Sequence, residues 1–212
     1  MFWRNSRRTL TWHRSRERDS SLNFSHNNFN EENKLLFLHN PKAAGTSIRR
    51  ALGMVGKTTH LLPSNWVPVE IWNEATILLC VRHPLTRFIS SYDYHVRGAY
   101  KGGFLKVFPD LKRLSPDEYF LCIKRRKQML PLQTDYLHHA ESTKVPDIVT
   151  RVEDQIISQE LEKFGIMINM PRKNVSPVST KTKLSNHLTG AILNHYAADL
   201  EEFNYGTKHP NF

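Results

Sequence analysis

Leu35-Leu36-Phe37-Leu38 is an unbroken apolar run, and Asn40-Pro41 closes it before Lys42-Ala43-Ala44-Gly45-Thr46-Ser47. An uninterrupted apolar run bounded by a breaker predicts a strand over 34–39 that is covered on both faces. A helix is predicted over 45–55, with Ile48, Leu52 and Val55 on one face. The connection between strand and helix is short and made of small residues, with one lysine and two hydroxyls. Small side chains let an oxyanion approach backbone N–H groups. The helix N-terminus adds unpaired donors and partial positive charge, and Lys42 adds a full one. The arrangement is a cradle for a phosphate or a sulfate.

The rest of the chain repeats the alternation. Ile77-Leu78-Leu79-Cys80-Val81 is the clearest strand, broken by Arg82-His83-Pro84 and followed by a predicted helix over 85–97 with Phe88, Ile89 and Tyr92 inward. His60-Leu61-Leu62 reads as a short strand stopped by Pro63, and 71–75 as the end of a helix. Ser115-Pro116-Asp117-Glu118 is a helix start running to about Met129. A strand over 146–152 precedes a helix over 154–164 that Gly165 ends. Lys101-Gly102-Gly103 and the polar stretch 171–183 read as loops, and a last helix covers 184–203. Strands alternating with helices predict an α/β fold, a parallel sheet with helices on both faces.

Composition sets the limits. A chain of 212 residues suffices for one α/β domain with a substantial core. Thirty basic against twenty acidic side chains give +10, so an anionic ligand or partner is expected. Six arginines and two acids place +4 of that charge in the first twenty residues. Residues 1–30 are poor in aliphatics and read as a disordered basic arm ahead of a single domain over 31–212. No run approaches the ~20 apolar residues of a membrane span. Cys80 and Cys122 are too few for a disulfide framework and read as two reduced thiols.

Two patterns are set aside. Ala51-Leu52-Gly53-Met54-Val55-Gly56-Lys57-Thr58 approximates a nucleotide-binding loop, but a helix precedes it and Pro63 follows closely, so Gly53 and Gly56 read as helix terminators. His138-His139 lacks an accompanying Cys or carboxylate constellation, and no metal is assigned.

Arg82 falls at the carboxyl end of the central strand, and Ser90 lies eight residues on, in the second turn of the next helix. Ligands of open parallel sheets bind outside the carboxyl ends of strands. Two anion-binding connections there suit a ligand with two separated phosphate-like groups. The plainer readings are a surface lysine, a surface salt bridge for Arg82 and a back-bonded hydroxyl for Ser90.

With those residues in place, Lys42-Ala43-Ala44-Gly45-Thr46-Ser47 resembles the phosphosulfate loop of sulfotransferases that use 3′-phosphoadenosine 5′-phosphosulfate. Arg82-His83-Pro84-Leu85-Thr86-Arg87-Phe88-Ile89-Ser90-Ser91-Tyr92 resembles their 3′-phosphate motif. The likeness is greatest to glycan O-sulfotransferases and their bacterial relatives. It extends more weakly to Arg151-Val152-Glu153-Asp154, Asn174-Val175-Ser176 and Tyr196-x-x-Asp199-x-x-x-Phe203-x-Tyr205. His83 departs from it, since the family often has Asp or Asn there.

The resemblance implies a P-loop-like three-layer fold with a central parallel sheet flanked by helices. It implies in-line sulfuryl transfer to an acceptor hydroxyl, on a carbohydrate, leaving adenosine 3′,5′-bisphosphate. Lys42 would neutralise the departing bridging oxygen. Ala43, Ala44, Gly45, Thr46 and Ser47 would line the 5′ side, and Arg82 and Ser90 would grip the 3′-phosphate. His60 resembles the histidine that takes the acceptor proton, with His39 the runner-up. From position and composition, Asn174 and Ser176, with Arg172, read either as closing over the cofactor or as a plain surface loop. Arg151 and Glu153 are expected to form a structural ion pair. No metal and no nucleic-acid partner are expected, and a bacterial cytoplasmic location is favoured by the lack of an anchor. The rivals are a phosphoryl-transferring kinase, a basic nucleic-acid- or nucleotide-binding protein, and a degenerate sulfotransferase that binds without turnover.

Overall fold

The computed structural model describes residues 26–97, 109–168 and 182–206. Its centre is a four-stranded sheet in the order β1 (Phe29–Asn30), β2 (Leu35–Leu38), β3 (Thr76–Val81), β4 (Ile148–Arg151). β2, β3 and β4 run parallel, with Leu38 opposite Leu79 and Val81 opposite Arg151. β1 is antiparallel to β2, pairing Phe29 with Leu36. The fold is therefore α/β with a mixed, mostly parallel sheet. The antiparallel edge corrects the expected all-parallel sheet. It also shortens the expected arm, because residues 26–30 are folded and Asn28 is fully buried. Residues 1–25 of that arm lie outside the described residues.

Between the strands lie α1 (Gly45–Ala51), α2 (Val69–Glu74), α3 (Pro84–Tyr92) and α4 (Pro116–Arg125), and after β4 come α5 (Ile157–Glu162), α6 (Asn186–His195) and α7 (Ala197–Glu202). Side-chain alternation along β2 and β3 explains the packing. Leu36, Leu38, Ile77 and Leu79 point to one face and meet Val67, Ile71, Trp72 and Tyr136. Leu35, Phe37, Leu78 and Cys80 point to the other and meet Ile48, Leu52, Ile157 and Leu161. Both faces are covered, so the strands are apolar throughout. A third cluster packs α3 against α4 and α6 through Phe88, Tyr119, Ile123 and Ile192.

Several expected boundaries move. α1 stops at Ala51, and Gly53, just past the cap Leu52, takes a left-handed φ of 67°, the terminating role read from sequence; Gly56, φ 79°, lies farther on in the loop and ends no helix. Val55 consequently lies beyond the helix and is exposed. His60-Leu61-Leu62 forms no strand; Pro63 opens a 3₁₀ turn over Pro63–Asn65 instead. The helix expected over 85–97 is α-helical only to Tyr92, then widens into a π turn over Asp93–Arg97. Ser115 and Glu118 form the reciprocal cap that starts α4, which ends at Arg125 before a separate 3₁₀ turn, Lys127–Met129. The last helix is two, parted at Tyr196. Cys80 and Cys122 are free thiols. Among the described residues no helix is long and apolar enough to cross a membrane.

Candidate anion-binding site

The connection after β2 is tight. Lys42 and Ala44 both adopt left-handed φ, 66° and 59°. Neither is glycine, so the conformation carries strain of the kind met at ligand loops. Ala44 also caps α1 without a side-chain hydrogen bond, unlike His83, Ser115 and Ser185 ahead of α3, α4 and α6. The first amides of α1 are thus left for another acceptor.

β2 and β3 end side by side, and this brings the two sequence motifs together. Arg82 Nη1 donates to the Lys42 carbonyl at 3.4 Å, and its Nε donates to Thr86 Oγ1 at 3.1 Å. Gln133 fixes the junction. Its Oε1 accepts from the Arg82 amide (2.9 Å) and from Asn40 Nδ2 (2.9 Å), while its Nε2 donates to the Arg82 carbonyl (2.8 Å). The Lys42 ammonium rests 4.0 Å above the centre of the Tyr94 ring. Burial, and after it the Arg82 charge, push its pKa down to about 8, with Asp93 opposing. Burial also lowers Arg82, against the neighbouring Glu153 carboxylate. Two cations held close together with incomplete compensation form a site that an anion would stabilise.

Ser90 lies on α3, half-buried, and its hydroxyl makes no hydrogen bond among the described residues. The back-bonded reading of Ser90 does not apply. Its neighbour Ser91 is the structural hydroxyl, 2.7 Å from Tyr119 Oη. Thr46 is exposed and Ser47 half-buried at the start of α1, Ala43 and Gly45 are buried, and Ala44 is half-buried. Gly45 has a packing reason as well, since a Cβ there would overlap the His39 ring. Asn174, Ser176 and Arg172 lie outside the described residues.

His60 stands beside this loop. Its Nδ1 lies 2.9 Å from the His39 carbonyl, an acceptor only, so Nδ1 carries the proton and Nε2 is the basic nitrogen. Burial lowers its pKa, helped by Lys42, Arg49 and Arg87, while the bond to His39 opposes the shift. The shift favours the neutral imidazole that a proton acceptor must be. Tyr136 Oη anchors the His60 carbonyl at 2.7 Å. His39 is instead buried, 2.6 Å from Thr58 Oγ1 through Nδ1, and burial pushes its pKa down to about 3. Its place is structural.

Two expected roles change. Arg151 pairs with Asp154 (2.7 Å), not with Glu153. Glu153 accepts from the His83 amide (2.9 Å) and Thr86 Oγ1 (3.3 Å) at the start of α3, and from Tyr205 Oη (3.0 Å). It thereby braces the turn that carries Arg82. His83 caps α3, its Nδ1 accepting from the Leu85 amide and its Nε2 donating to the Gly206 carbonyl. His138 and His139 part company, His138 exposed and His139 buried against the Val67 carbonyl at 2.9 Å.

Nothing in the local pattern points to Gln133, whose neighbours lack a motif. Arg87 sits inside the Arg82–Tyr92 motif, and Asp199 inside the late aromatic pattern, so both were within sight. Tyr94 was concealed by the uninterrupted helix expected there. Comparison with protein-family models, curated proteins and solved structures finds no match for this chain.

Proposed function

We propose that the protein is a sulfotransferase that moves a sulfuryl group from 3′-phosphoadenosine 5′-phosphosulfate to an acceptor hydroxyl on a carbohydrate, built on a P-loop-like three-layer fold. One observation supports this above the others: Arg82 reaches the Lys42 carbonyl, so a lysine-centred and an arginine-centred anion pocket adjoin at the ends of neighbouring parallel strands. A ligand with two separated phosphate-like groups fits such a pair. The donor supplies the activated sulfuryl group when bound. Lys42 neutralises charge on the departing oxygen, and the amides of Gly45 and Thr46 with the hydroxyls of Thr46 and Ser47 hold its neighbours. Arg82 and the Ser90 hydroxyl take the 3′-phosphate. His60 Nε2 accepts the proton of the attacking hydroxyl. Positioning and charge supply the catalysis, as in phosphoryl transfer.

The test is calorimetry with adenosine 3′,5′-bisphosphate beside ATP, followed by transfer of label from the sulfate donor to sugar acceptors without magnesium. Preference for the bisphosphate and magnesium-independent transfer are expected. Preference for ATP with magnesium-dependent transfer would make the protein a kinase.

A further inference from the structure

Next to His60, the chain forms an open groove of about 600 Å³ that no motif in the sequence announces. Its size lies within the ~300–1,000 Å³ of small-ligand sites. Two 3₁₀ turns, Pro63–Asn65 and Thr134–Tyr136, make its walls. Two bonds fasten the segments that carry these turns, 60–65 and 134–140. Tyr136 Oη donates to the His60 carbonyl (2.7 Å), and the Ala140 amide donates to Ser64 Oγ (2.8 Å). The groove is thus preformed, and one of its fastenings is the backbone of the proposed base.

The lining sets the chemistry of the occupant. Ser64, Asn65, Thr134, Asp135 and His138 present polar atoms beside apolar Leu62. Ser64 Oγ already accepts from Ala140, which leaves its O–H to donate outward. Thr134 Oγ1 lies 3.4 Å from Asp199 Oδ1 and donates to it, which leaves its oxygen to accept. Although the protein carries +10 overall, no lysine or arginine lines this groove among the described residues, and the one carboxylate among them is Asp135. Donors and acceptors interleaved over an apolar patch match a ring bearing vicinal hydroxyls. A sulfate or carboxylate on that ring would face Asp135 with no lining cation to offset it.

We propose that this groove binds an uncharged, hydroxyl-rich sugar ring, with Asp135 accepting from adjacent hydroxyls and Asn65 bridging to their neighbours. As the acceptor subsite it rests on the transferase reading; as a sugar site it stands alone. Partial burial, reinforced by the Asp199 carboxylate, pushes the Asp135 carboxyl up, while Lys127 and Arg87 pull it down. A second anion would add to the same penalty, whereas hydroxyl donors relieve it. The charge of the molecule as a whole therefore serves the nucleotide donor, and the groove selects against acceptors already sulfated at the ring it holds.

Saturation-transfer NMR on the full chain tests this. The probes are neutral tetrasaccharides of glucose, galactose and N-acetylglucosamine, set beside a heparin tetrasaccharide. A neutral probe is expected to receive saturation, with affinity reduced ~5-fold or more in both Asp135→Ala and Asn65→Ala, the loss of a hydrogen-bonded contact. The heparin probe is expected not to displace it. The proposal is overturned if no neutral probe binds, if heparin displaces the bound one, or if neither substitution weakens binding. Adenosine 3′,5′-bisphosphate calorimetry on the same samples separates the two ideas. Sugar binding without nucleotide binding defeats the transferase reading and leaves the groove; the reverse defeats the groove alone.

Discussion

Beneath the Lys42 loop, Arg87 Nη1 lies 3.9 Å from Asp199 Oδ2, and both side chains are almost wholly buried, at 1% and 0% exposure. Arg87 also donates to the carbonyls of Pro41 (3.0 Å) and Pro131 (2.7 Å) and to Asn40 Oδ1 (2.8 Å). Asp199 Oδ1 accepts from the amides of Gln133 (2.8 Å) and Thr134 (3.1 Å). One guanidinium thus ties the residue before Lys42 to the segment that carries Gln133 and the sugar groove. Its bond to the Pro41 carbonyl helps to hold the left-handed turn at Lys42.

Removing one partner of such a pair leaves the other charge buried and alone. Arg87→Ala and Asp199→Ala should each cost about 3–5 kcal/mol, a large share of the ~5–15 kcal/mol that holds a domain. Arg87→Lys should recover little, because an ammonium lacks the planar fork that reaches these acceptors together. Denaturant unfolding measures this. A loss under ~1 kcal/mol in both alanine variants would mean that the pair is not the clamp described.

The two anion pockets should separate in kinetics. In the proposed transferase Arg82 would hold a group that does not react, so Arg82→Ala should weaken adenosine 3′,5′-bisphosphate binding by about 1.5–3 kcal/mol, or ~10- to 150-fold, with a smaller effect on turnover. Lys42 would face the developing charge, so Lys42→Ala should lower turnover by ~3 kcal/mol, or ~10²-fold, with a smaller effect on binding. Calorimetry and initial rates read the two effects separately. Reversed effects would exchange the assigned roles.

The parts of this site that the sequence displayed are those written in local pattern. Apolar runs placed β2 and β3, breakers placed their ends, and the parallel arrangement followed from alternation with helices. Arg82 was recognisable because it follows β3 directly, and Lys42 because it follows the Asn40-Pro41 break that closes β2's apolar run. β1 was missed because a two-residue strand in a polar stretch has no periodicity, and only its pairing with Leu35 and Leu36 defines it. The π turn at Asp93–Arg97 was missed because helical spacing runs straight through it, yet it carries Tyr94 to Lys42. Gln133 bonds to Arg82 at a separation of 51 residues and to Asn40 at 93, relationships that no short window contains.

His60→Ala should lower the rate of sulfuryl transfer by ~10²–10⁴-fold at neutral pH and leave adenosine 3′,5′-bisphosphate binding almost unchanged. Its tautomer is set by the backbone carbonyl of His39, so His39 substitutions that preserve the fold should keep activity. Gly45→Ala, in contrast, pushes a Cβ into the His39 ring and should lower both stability and rate. Near-full activity of His60→Ala at pH 7 would remove the base assignment.

Acid should destabilise the fold through its buried imidazoles. Burial pushes His39 to about 3 and His95 to about 4, against an ordinary 6.5. Both folded values are depressed, so below 6.5 the unfolded chain binds more protons and stability falls as pH drops toward those values. Each histidine contributes a slope of up to about 1.4 kcal/mol per pH unit, less for His95, which is only half-buried. Urea midpoints between pH 7 and 4 measure it. His39→Gln should flatten the curve if the imidazole is the cause.

Lys42 predicts opposite pH trends for binding and stability. Its folded pKa is about 8 against an ordinary 10.5, mainly through burial. Between those values the unfolded chain holds a proton that the folded protein has released, so stability rises with pH through that window. The protonated amine adds to anion binding, so affinity for adenosine 3′,5′-bisphosphate should be level up to about pH 7 and fall as pH passes 8. The fall should level off at the modest loss expected of Lys42→Ala, about 10-fold or less, because the other donors still hold the ligand. In Lys42→Met both trends should vanish together, because one proton governs them. Calorimetry and urea unfolding at matched pH test the pairing, and affinity unchanged from pH 7 to 9.5 would detach Lys42 from the ligand.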